Sequence, residues 1–174
     1  MSWSRRRALG LGATLGLGVA LGACGFEPLY GGEGGGATVV AAEGIGIAAI
    51  PSRIGIQLRN NLIDRLTPRG EPATPRYSLD IKISSDKEGL AIQRDAFVSR
   101  YNLRVNAEFR LFDRQADRAP VLVGKAFSLA AFNVVRADFA NIAAERDAED
   151  RAAREIANDI SQRVAVFLRR QHGV

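Results

Sequence analysis

The sequence predicts an α+β fold: a four-stranded, mostly antiparallel sheet with two helices packed on one face, in the order β-α-β-β-β-α. Two observations predict this class. Apolar and polar residues alternate along several segments between residues 77 and 134, which is typical of strands with one buried face. Apolar residues recur every three or four positions over residues 51–66 and 138–170, which is typical of amphipathic helices. The alternation also predicts that the other sheet face is polar and meets water or a polar partner.

The first predicted strand covers residues 37–50, which are rich in Val, Ile and Ala. The residues expected to share one of its faces are Val39, Ala41, Ile45, Ile47 and Ala49. Pro51 and Ser52 are expected to open a helix, because a proline in the first turn loses no hydrogen bond. This helix should run to about residue 66 and bury a stripe at intervals of four, namely Ile54, Leu58, Leu62 and Leu66.

The second and third strands have the clearest alternation. The second should bury Tyr77, Leu79, Ile81 and Ile83, and a loop is expected over residues 84–98. The third should bury six alternate residues, Tyr101, Leu103, Val105, Ala107, Phe109 and Leu111. Its opposite face would then present Arg100, Asn102, Arg104, Asn106, Glu108 and Arg110. Such a row is either solvated or pairs with a polar partner, and the residues leave both interpretations open.

The fourth strand is predicted over residues 121–134, after a turn at 113–120. The residues expected on its apolar side, which Lys125 interrupts, are Val121, Val123, Phe127, Leu129 and Ala131. The last helix should cover residues 138–170 and use one face made of Phe139, Ile142, Ala153, Ile156, Ile160, Val164 and Phe167. Its charges suggest ion pairs within the helix, Asp147–Arg151, Asp150–Arg154 and Asp159–Arg163, and a solvated face over residues 145–154.

The N-terminal segment has the features of a lipoprotein signal peptide. Arg5, Arg6 and Arg7 precede an uncharged segment that ends in Leu21-Gly22-Ala23-Cys24. An apolar residue and two small residues before a cysteine are typical of a lipobox, in which the thiol receives a diacylglyceryl group. We therefore expect a signal peptide at 1–23, lipidated Cys24 with a Gly-rich tether at 24–36, and a single α+β domain at 37–174.

Two alternatives to this interpretation remain open. The leader could be an ordinary secretory signal or an uncleaved anchor. As for the export route, Ser4-Arg5-Arg6-Arg7-Ala8-Leu9 faintly resembles a twin-arginine signal. The Gly-rich residues after Cys24 would span roughly 20 Å as a flexible chain. They lack the GK[ST] sequence of a phosphate-binding loop.

Composition argues against a nucleic-acid-binding protein. The chain has 24 basic and 19 acidic residues, a net charge of +5. Removing the three leader arginines leaves 21 basic residues against the same 19 acidic ones, a net charge of +2. With its only Cys acylated, the protein would form no disulfide.

No catalytic motif is evident, so we expect a protein that is not an enzyme. The single histidine, His172, lies near the C-terminus, which argues against His-based metal sites and catalytic triads. No cofactor and no metal ligand set are predicted. Asp80 and Glu108, on the polar strand faces, are the weak candidates for an acid–base pair.

The segment Cys24-Gly25-Phe26-Glu27-Pro28-Leu29-Tyr30 resembles the start of mature lipopolysaccharide-assembly lipoproteins of the LptE family. Ile50-Pro51-Ser52-Arg53, Gln57-Leu58-Arg59-Asn60 and Arg100-Tyr101-Asn102-Leu103 are also similar to that family, as is the order of strands and helices. The resemblance covers nearly the whole chain.

This resemblance implies an outer-membrane lipoprotein on the periplasmic side that plugs the large β-barrel LptD and helps it insert lipopolysaccharide into the outer leaflet. Arg100, Asn102, Arg104 and Asn106 would then face the partner barrel. Arg94 and Lys125 match basic positions of the family and are candidate ligands of lipopolysaccharide phosphates, with surface solubility as the alternative. Gly25 after the lipidated cysteine differs from the Asp of inner-membrane retention.

Two other functions remain open at the level of the sequence. One is an auxiliary lipoprotein of an ABC-type transporter that carries lipids across the envelope. The other is a lipoprotein enzyme acting on envelope glycans.

Overall fold

The computed structural model describes residues 44–92, 98–116 and 119–171. The elements in these ranges are β1 (Ile45–Ile47), α1 (Arg53–Leu66), β2 (Tyr77–Ile92), β3 (Val98–Asp113), β4 (Pro120–Asn133) and α2 (Asp138–Gln171). This is the predicted β-α-β-β-β-α order, and the α+β class is confirmed. Neither helix has an apolar stretch of the length needed to cross a membrane. The predicted signal peptide, Cys24 and the tether lie outside the described residues.

The four strands form one sheet in the order β1-β2-β3-β4. β1 pairs with β2 in parallel, with Ile45 beside Tyr77, because α1 connects them as a crossover. The β2–β3 and β3–β4 pairs are antiparallel, with Ile81 beside Phe109 and Phe109 beside Gly124. Register therefore places the odd-numbered residues of β1, β2 and β3 on the same face as the even-numbered residues of β4. The sheet is mostly antiparallel, as predicted.

Helix α1 begins at Arg53, two residues later than predicted. Ser52 is its N-cap, and its hydroxyl accepts a hydrogen bond from the Gly55 N–H at 3.2 Å. Pro51 therefore precedes the cap and does not occupy the first turn. The predicted stripe of Ile54, Leu58, Leu62 and Leu66 is buried, as expected from its i+4 spacing.

Both helices pack on one face of the sheet, and the core lies between the two layers. The strands bury Tyr77, Leu79, Ile81, Leu103, Val105, Ala107, Phe109 and Leu111 beneath the helices. Helix α2 contributes a stripe with many alanines, comprising Ala148, Ala152, Ala153, Ile156, Ala157, Ile160, Val164, Ala165 and Leu168. Small residues allow a helix to approach a sheet closely, so this stripe brings the α2 backbone near the strands below it.

The strands differ in length from the prediction. β1 is limited to Ile45–Ile47, and Ile50 is buried where Ala49 was expected, because the chain leaves the strand conformation after residue 47. The predicted loop at 84–98 is wrong, since β2 continues to residue 92 and β3 begins at residue 98. The polar residues 84–88 obscured this extension, because both of their faces are exposed and no apolar alternation marks them.

The inward face of β4 is the opposite of the predicted one. Val121, Val123, Phe127 and Leu129 are exposed, whereas Ala126, Ser128, Ala130 and Phe132 are buried. Both faces of this strand are apolar, so alternation alone favoured the larger side chains as the core. The structure reverses that choice, because α2 packs on the side of β4 that has Ala126, Ser128 and Ala130. Ser128 is accommodated by donating a hydrogen bond to Glu155 of α2 at 2.6 Å.

The first turns of α2 also depart from the prediction. Phe139 and Ile142 are exposed, while Ile156, Ile160 and Val164 are buried as expected. Full burial within α2 begins at Ala148, and Ala144 is partly buried against the core, so the exposed Phe139 and Ile142 precede the buried stripe.

The charged run at 145–154 is only partly a solvated face. Asp147–Arg151 and Asp159–Arg163 form the predicted pairs within the helix. Asp150 instead pairs with Arg53 of α1 at 3.1 Å, and Arg53 also contacts Glu149. Lys87 of β2 pairs with Glu145 at 2.9 Å. The run therefore ties α2 to α1 and to the distal part of the β2–β3 hairpin.

Candidate functional site

The candidate site is the sheet face opposite α1 and α2, which neither of these two helices covers, here called the open face. The even-numbered residues of β3 point to it, because successive side chains of a strand alternate between the two faces. Arg100, Asn102, Arg104 and Asn106, predicted to face a partner, therefore lie in one row on this face. Arg100 and Arg104 are exposed, and the two asparagines are half-buried.

The arginines of this row have acidic neighbours on β2. Arg104 lies beside Asp86 and Arg110 lies beside Asp80 in the antiparallel register. Directly opposed side chains of unlike charge stabilise strand pairing modestly and hold long arginine side chains near the sheet. Basic and acidic side chains therefore alternate over the central part of the open face.

Lys125 and Glu108 form an ion pair in the middle of the open face. Their Nζ and Oε1 atoms are 2.7 Å apart across the β3–β4 pair, and the Lys125 side chain is 80% exposed. The hydrogen bond from Lys125 and its charge hold the pKa of Glu108 below its ordinary value, and the charges of Arg110 and Lys82 act in the same direction. A general acid at neutral pH needs a raised pKa, so this environment disfavours the acid role considered for Glu108.

A shallow depression of about 290 Å³ lies beside this ion pair. Asp80, Lys82, Glu108 and Arg110 line it, together with Ala48 and Ala49 from the segment after β1. Two basic and two acidic groups thus meet in one hollow, which suits hydrogen-bonded polar groups more than a single ion. Within the described residues no three His, Cys, Asp or Glu side chains are grouped as metal ligands.

The β4 border of the open face is apolar, which sequence reasoning missed. Val123, Phe127 and Leu129 lie there with exposed fractions of 61%, 67% and 49%. In the register, Phe127 neighbours Asn106 and Leu129 neighbours Arg104. The open face is therefore charged over β2 and β3 and apolar along β4, and it is not uniformly polar as predicted. The observation that β4 has two apolar faces was the available signal for this strip.

Comparison with protein families identifies the chain. The family model LptE, described as lipopolysaccharide-assembly, matches residues 40–164. The chain belongs to the LptE family. A comparison with curated proteins gave no match.

Two solved structures of lipoproteins are similar to this chain in fold. One is a protein of Caulobacter crescentus CB15 assigned as a lipoprotein, with a TM-score of 0.61 and 29% identity over 77% of this chain and 98% of that chain. Another is a minor lipoprotein of Acinetobacter baumannii, with a TM-score of 0.52 and 16% identity over 71% of this chain and 93% of that chain. The second likeness supports the fold alone.

The structure brings some of the predicted site residues of this LptE-family chain together. Lys125 lies on the open face with Arg100, Asn102, Arg104 and Asn106, and its pair with Glu108 joins it to the β3 row. The other predicted lipopolysaccharide ligand, Arg94, lies outside the described residues, as does Cys24.

Proposed function

We propose that this protein is a lipid-anchored outer-membrane assembly factor that plugs an LptD-type β-barrel and takes part in inserting lipopolysaccharide into the outer leaflet. It acts by binding and carries out no catalysis. The observation that carries the proposal is the open face, where a row of arginines and asparagines borders an apolar strip within a chain of the LptE family.

The anchor in this proposal is Cys24, acylated after cleavage of residues 1–23. Each buried CH₂ of an acyl chain contributes about 0.8 kcal/mol to membrane binding, so more than one chain makes the attachment stable. The glycines at 31–36 would let the domain reorient beneath the membrane. Gly25 at the next position is consistent with transport to the outer membrane.

The open face suits a barrel partner because barrel lumens are polar. Arg100 and Arg104 can each form paired, charge-assisted hydrogen bonds with carboxylates, and Asn102 and Asn106 can donate and accept at the same wall. The apolar strip on β4 would bury Phe127 and Leu129 against the partner, and fully buried apolar anchors contribute most to protein interfaces.

Lipopolysaccharide carries phosphates, and Arg94 with Lys125 is the proposed pair that binds them. Lys125 is mostly exposed, so its ammonium can approach a phosphate while Glu108 limits its freedom. Arg94→Glu with Lys125→Glu should abolish lipopolysaccharide binding by the purified protein. Unchanged binding would overturn the assignment of these two residues and leave the barrel proposal intact.

Copurification from detergent-solubilised outer membranes tests the central proposal. We expect a stoichiometric large barrel with the wild-type protein and its loss with Arg100→Glu plus Arg104→Glu. Arg146→Glu plus Arg154→Glu is the matched control, because it makes the same change of charge on exposed residues of α2. Recovery of inner-membrane ATPase components in place of the barrel would point to an ABC-type transporter and reject the proposal.

A further inference from the structure

The two edge strands of the sheet, β1 and β4, differ in whether side chains bond to their outward-pointing backbone groups. At the β1 edge, the Ile47 N–H donates to Glu71 at 3.0 Å and the Ile47 carbonyl accepts from Arg59 at 3.1 Å. Arg59 and Glu71 also pair with each other at 2.6 Å. This ion pair occupies the backbone groups that another strand would need, a common way of protecting an edge.

The β4 edge has backbone groups that point away from the sheet. In β2, the Tyr77 N–H and the Leu79 carbonyl bond towards β1, so residues of the other parity bond to β3. In β3, the residues that bond to β2 therefore alternate with those that bond to β4. By the register, the β4 residues whose backbone groups bond to β3 are Gly124, Ala126, Ser128 and Ala130. The groups of the intervening residues, Val123, Lys125, Phe127 and Leu129, then point to the outer edge of β4, which pairs with no further strand among the described residues. Arg151, which donates to the Ala131 carbonyl at 3.0 Å, caps the end of this series.

The side chains of these same residues leave the β4 edge unprotected. Edge strands usually carry charges or prolines against pairing with another chain. Here Val123, Phe127 and Leu129 are exposed, and Lys125 is the charged residue among them. An unpaired ladder with exposed apolar side chains is the kind of surface to which an extended segment adds as a further strand.

A groove between β4 and α2 adjoins this edge. Its volume is about 470 Å³, within the range of binding sites. Phe109, Leu122 and Phe167 form apolar parts of its wall, and Arg163 and Arg170 lie at the C-terminal end of α2. Arg163 is paired with Asp159 at 2.8 Å, whereas Arg170 forms no ion pair with the described part of the chain.

A second copy of the protein is a poor occupant of the β4 edge. Bonds from α2 to Ser128 and Ala131 place α2 over β4. If two β4 strands paired antiparallel, they would lie about 4.8 Å apart, and their two α2 helices would lie on the same side of the joined sheet and compete for the space above the new strand pair. Packed helices need about 8–10 Å between axes. The occupant is therefore a segment without a helix above it.

We propose that β4 and α2 form a strand-addition site for an extended segment of another protein, antiparallel to β4, with apolar side chains and a carboxylate towards its C-terminal end. In that direction, the more common one for strand pairs, the C-terminal end lies beside Leu122 and Gly124. Arg163 and Arg170 line the groove there and supply the complementary charge. The inference uses the outward backbone groups of β4 and the groove between β4 and α2, whereas the barrel proposal uses side chains of the open face; Phe127 and Leu129 belong to both surfaces.

A synthetic peptide, acetyl-Val-Thr-Val-Thr-Glu-Leu-Val-Glu-amide, is the probe. The backbone groups of its first, third, fifth and seventh residues would form hydrogen bonds with β4. Its leucine, the sixth residue, would enter the groove, and its last glutamate would form an ion pair with Arg170. With the purified protein in detergent, we expect saturable binding by fluorescence anisotropy and slower amide hydrogen exchange at Val123, Lys125, Phe127 and Leu129. N-methylation of the third and fifth residues should weaken binding roughly tenfold or more, because it removes two ladder bonds.

Three matched controls make the test specific. N-methylation of the second and fourth residues removes no bond to β4 and should change binding by less than about threefold. Leu129→Pro should block binding, whereas Leu129→Thr keeps the N–H and should bind. Arg170→Glu should weaken the peptide ending in glutamate and spare the version ending in glutamine. No saturable binding at millimolar peptide, protection outside β4, or equal effects of the two methylation patterns would each overturn the proposal.

Discussion

Gly124 offers a direct test of how β3 and β4 pack. It lies beside Phe109 in the register, and a Cβ built at this glycine would be 2.4 Å from Cζ and 2.6 Å from Cε1 of that ring. Phe109 is fully buried, so the aromatic ring occupies the space above the glycine. We expect Gly124→Ala to destabilise the domain by overpacking.

The magnitude follows from the surroundings of the ring. Overpacking of a core costs about 1–3 kcal/mol. The groove beside Phe109 gives the ring room to tilt, which places Gly124→Ala at about 1–2 kcal/mol in the free energy of unfolding. The melting temperature should fall by roughly 3–10 °C.

Urea unfolding followed by circular dichroism measures this loss, and a double-mutant cycle assigns its cause. Phe109→Leu alone creates space above Gly124, which the alanine methyl group of the double variant would fill. The double variant should therefore be more stable than the sum of the single changes predicts, by about 1 kcal/mol. Additive losses, or a change below about 0.5 kcal/mol for Gly124→Ala, would refute the proposed ring contact.

Three further predictions concern the helix cap, the central ion pair and the apolar strip. Ser52→Ala should lower the free energy of unfolding by about 1 kcal/mol, whereas Ser52→Gly should cost less in the same urea titration, because Ser52 caps α1 at a φ of 82° that glycine adopts freely. Lys125→Met should raise the pKa of Glu108 towards its ordinary 4.5 in a carboxyl NMR titration. Because the pKa of Glu108 is lowered in the folded state, its ionised form stabilises the fold at pH values above the ordinary pKa, and this effect is lost as the pH falls through the lowered pKa. An unchanged titration of Glu108 in Lys125→Met would contradict the pairing. Phe127→Ser should leave the unfolding free energy within about 0.5 kcal/mol, because the ring is exposed, yet reduce copurification of the barrel. Full retention of the barrel would show that Phe127 lies outside the interface.

The elements that sequence patterns predicted well are those with one apolar face. β3 alternates without interruption over six apolar positions, five of them buried, and α1 has a stripe at strict i+4 spacing. The period of the pattern was therefore enough to predict the type and orientation of both elements. β4 could not be oriented in this way, because Ala126 and Ala130 on one side compete with Phe127 and Leu129 on the other. Which face of β4 is buried depended on the side on which α2 packs, and that is a tertiary contact.

The same distinction applies to the candidate site. The row from Arg100 to Asn106 was predicted because its residues alternate with buried ones on a single strand. The partners of Arg53 on α2 and the apolar strip on β4 were missed, because they depend on which elements become neighbours. Arg53 and Glu149 are 96 residues apart in the chain, and no local pattern relates them.

The distribution of apolar surface distinguishes the two sides of β4. The inner side has small residues beneath α2 and contributes to the core, whereas exchanging Phe127 or Leu129 for polar residues would cost the monomer little, because both are exposed. Their presence is therefore not explained by folding, and exposed apolar residues grouped along one strand are a feature of interaction surfaces. At the β1 edge the Arg59–Glu71 ion pair occupies the backbone groups of Ile47, and the β4 edge has no equivalent pair among the described residues. Binding at β4 accounts for both the apolar strip and the unprotected backbone, whereas a purely solvated sheet accounts for neither.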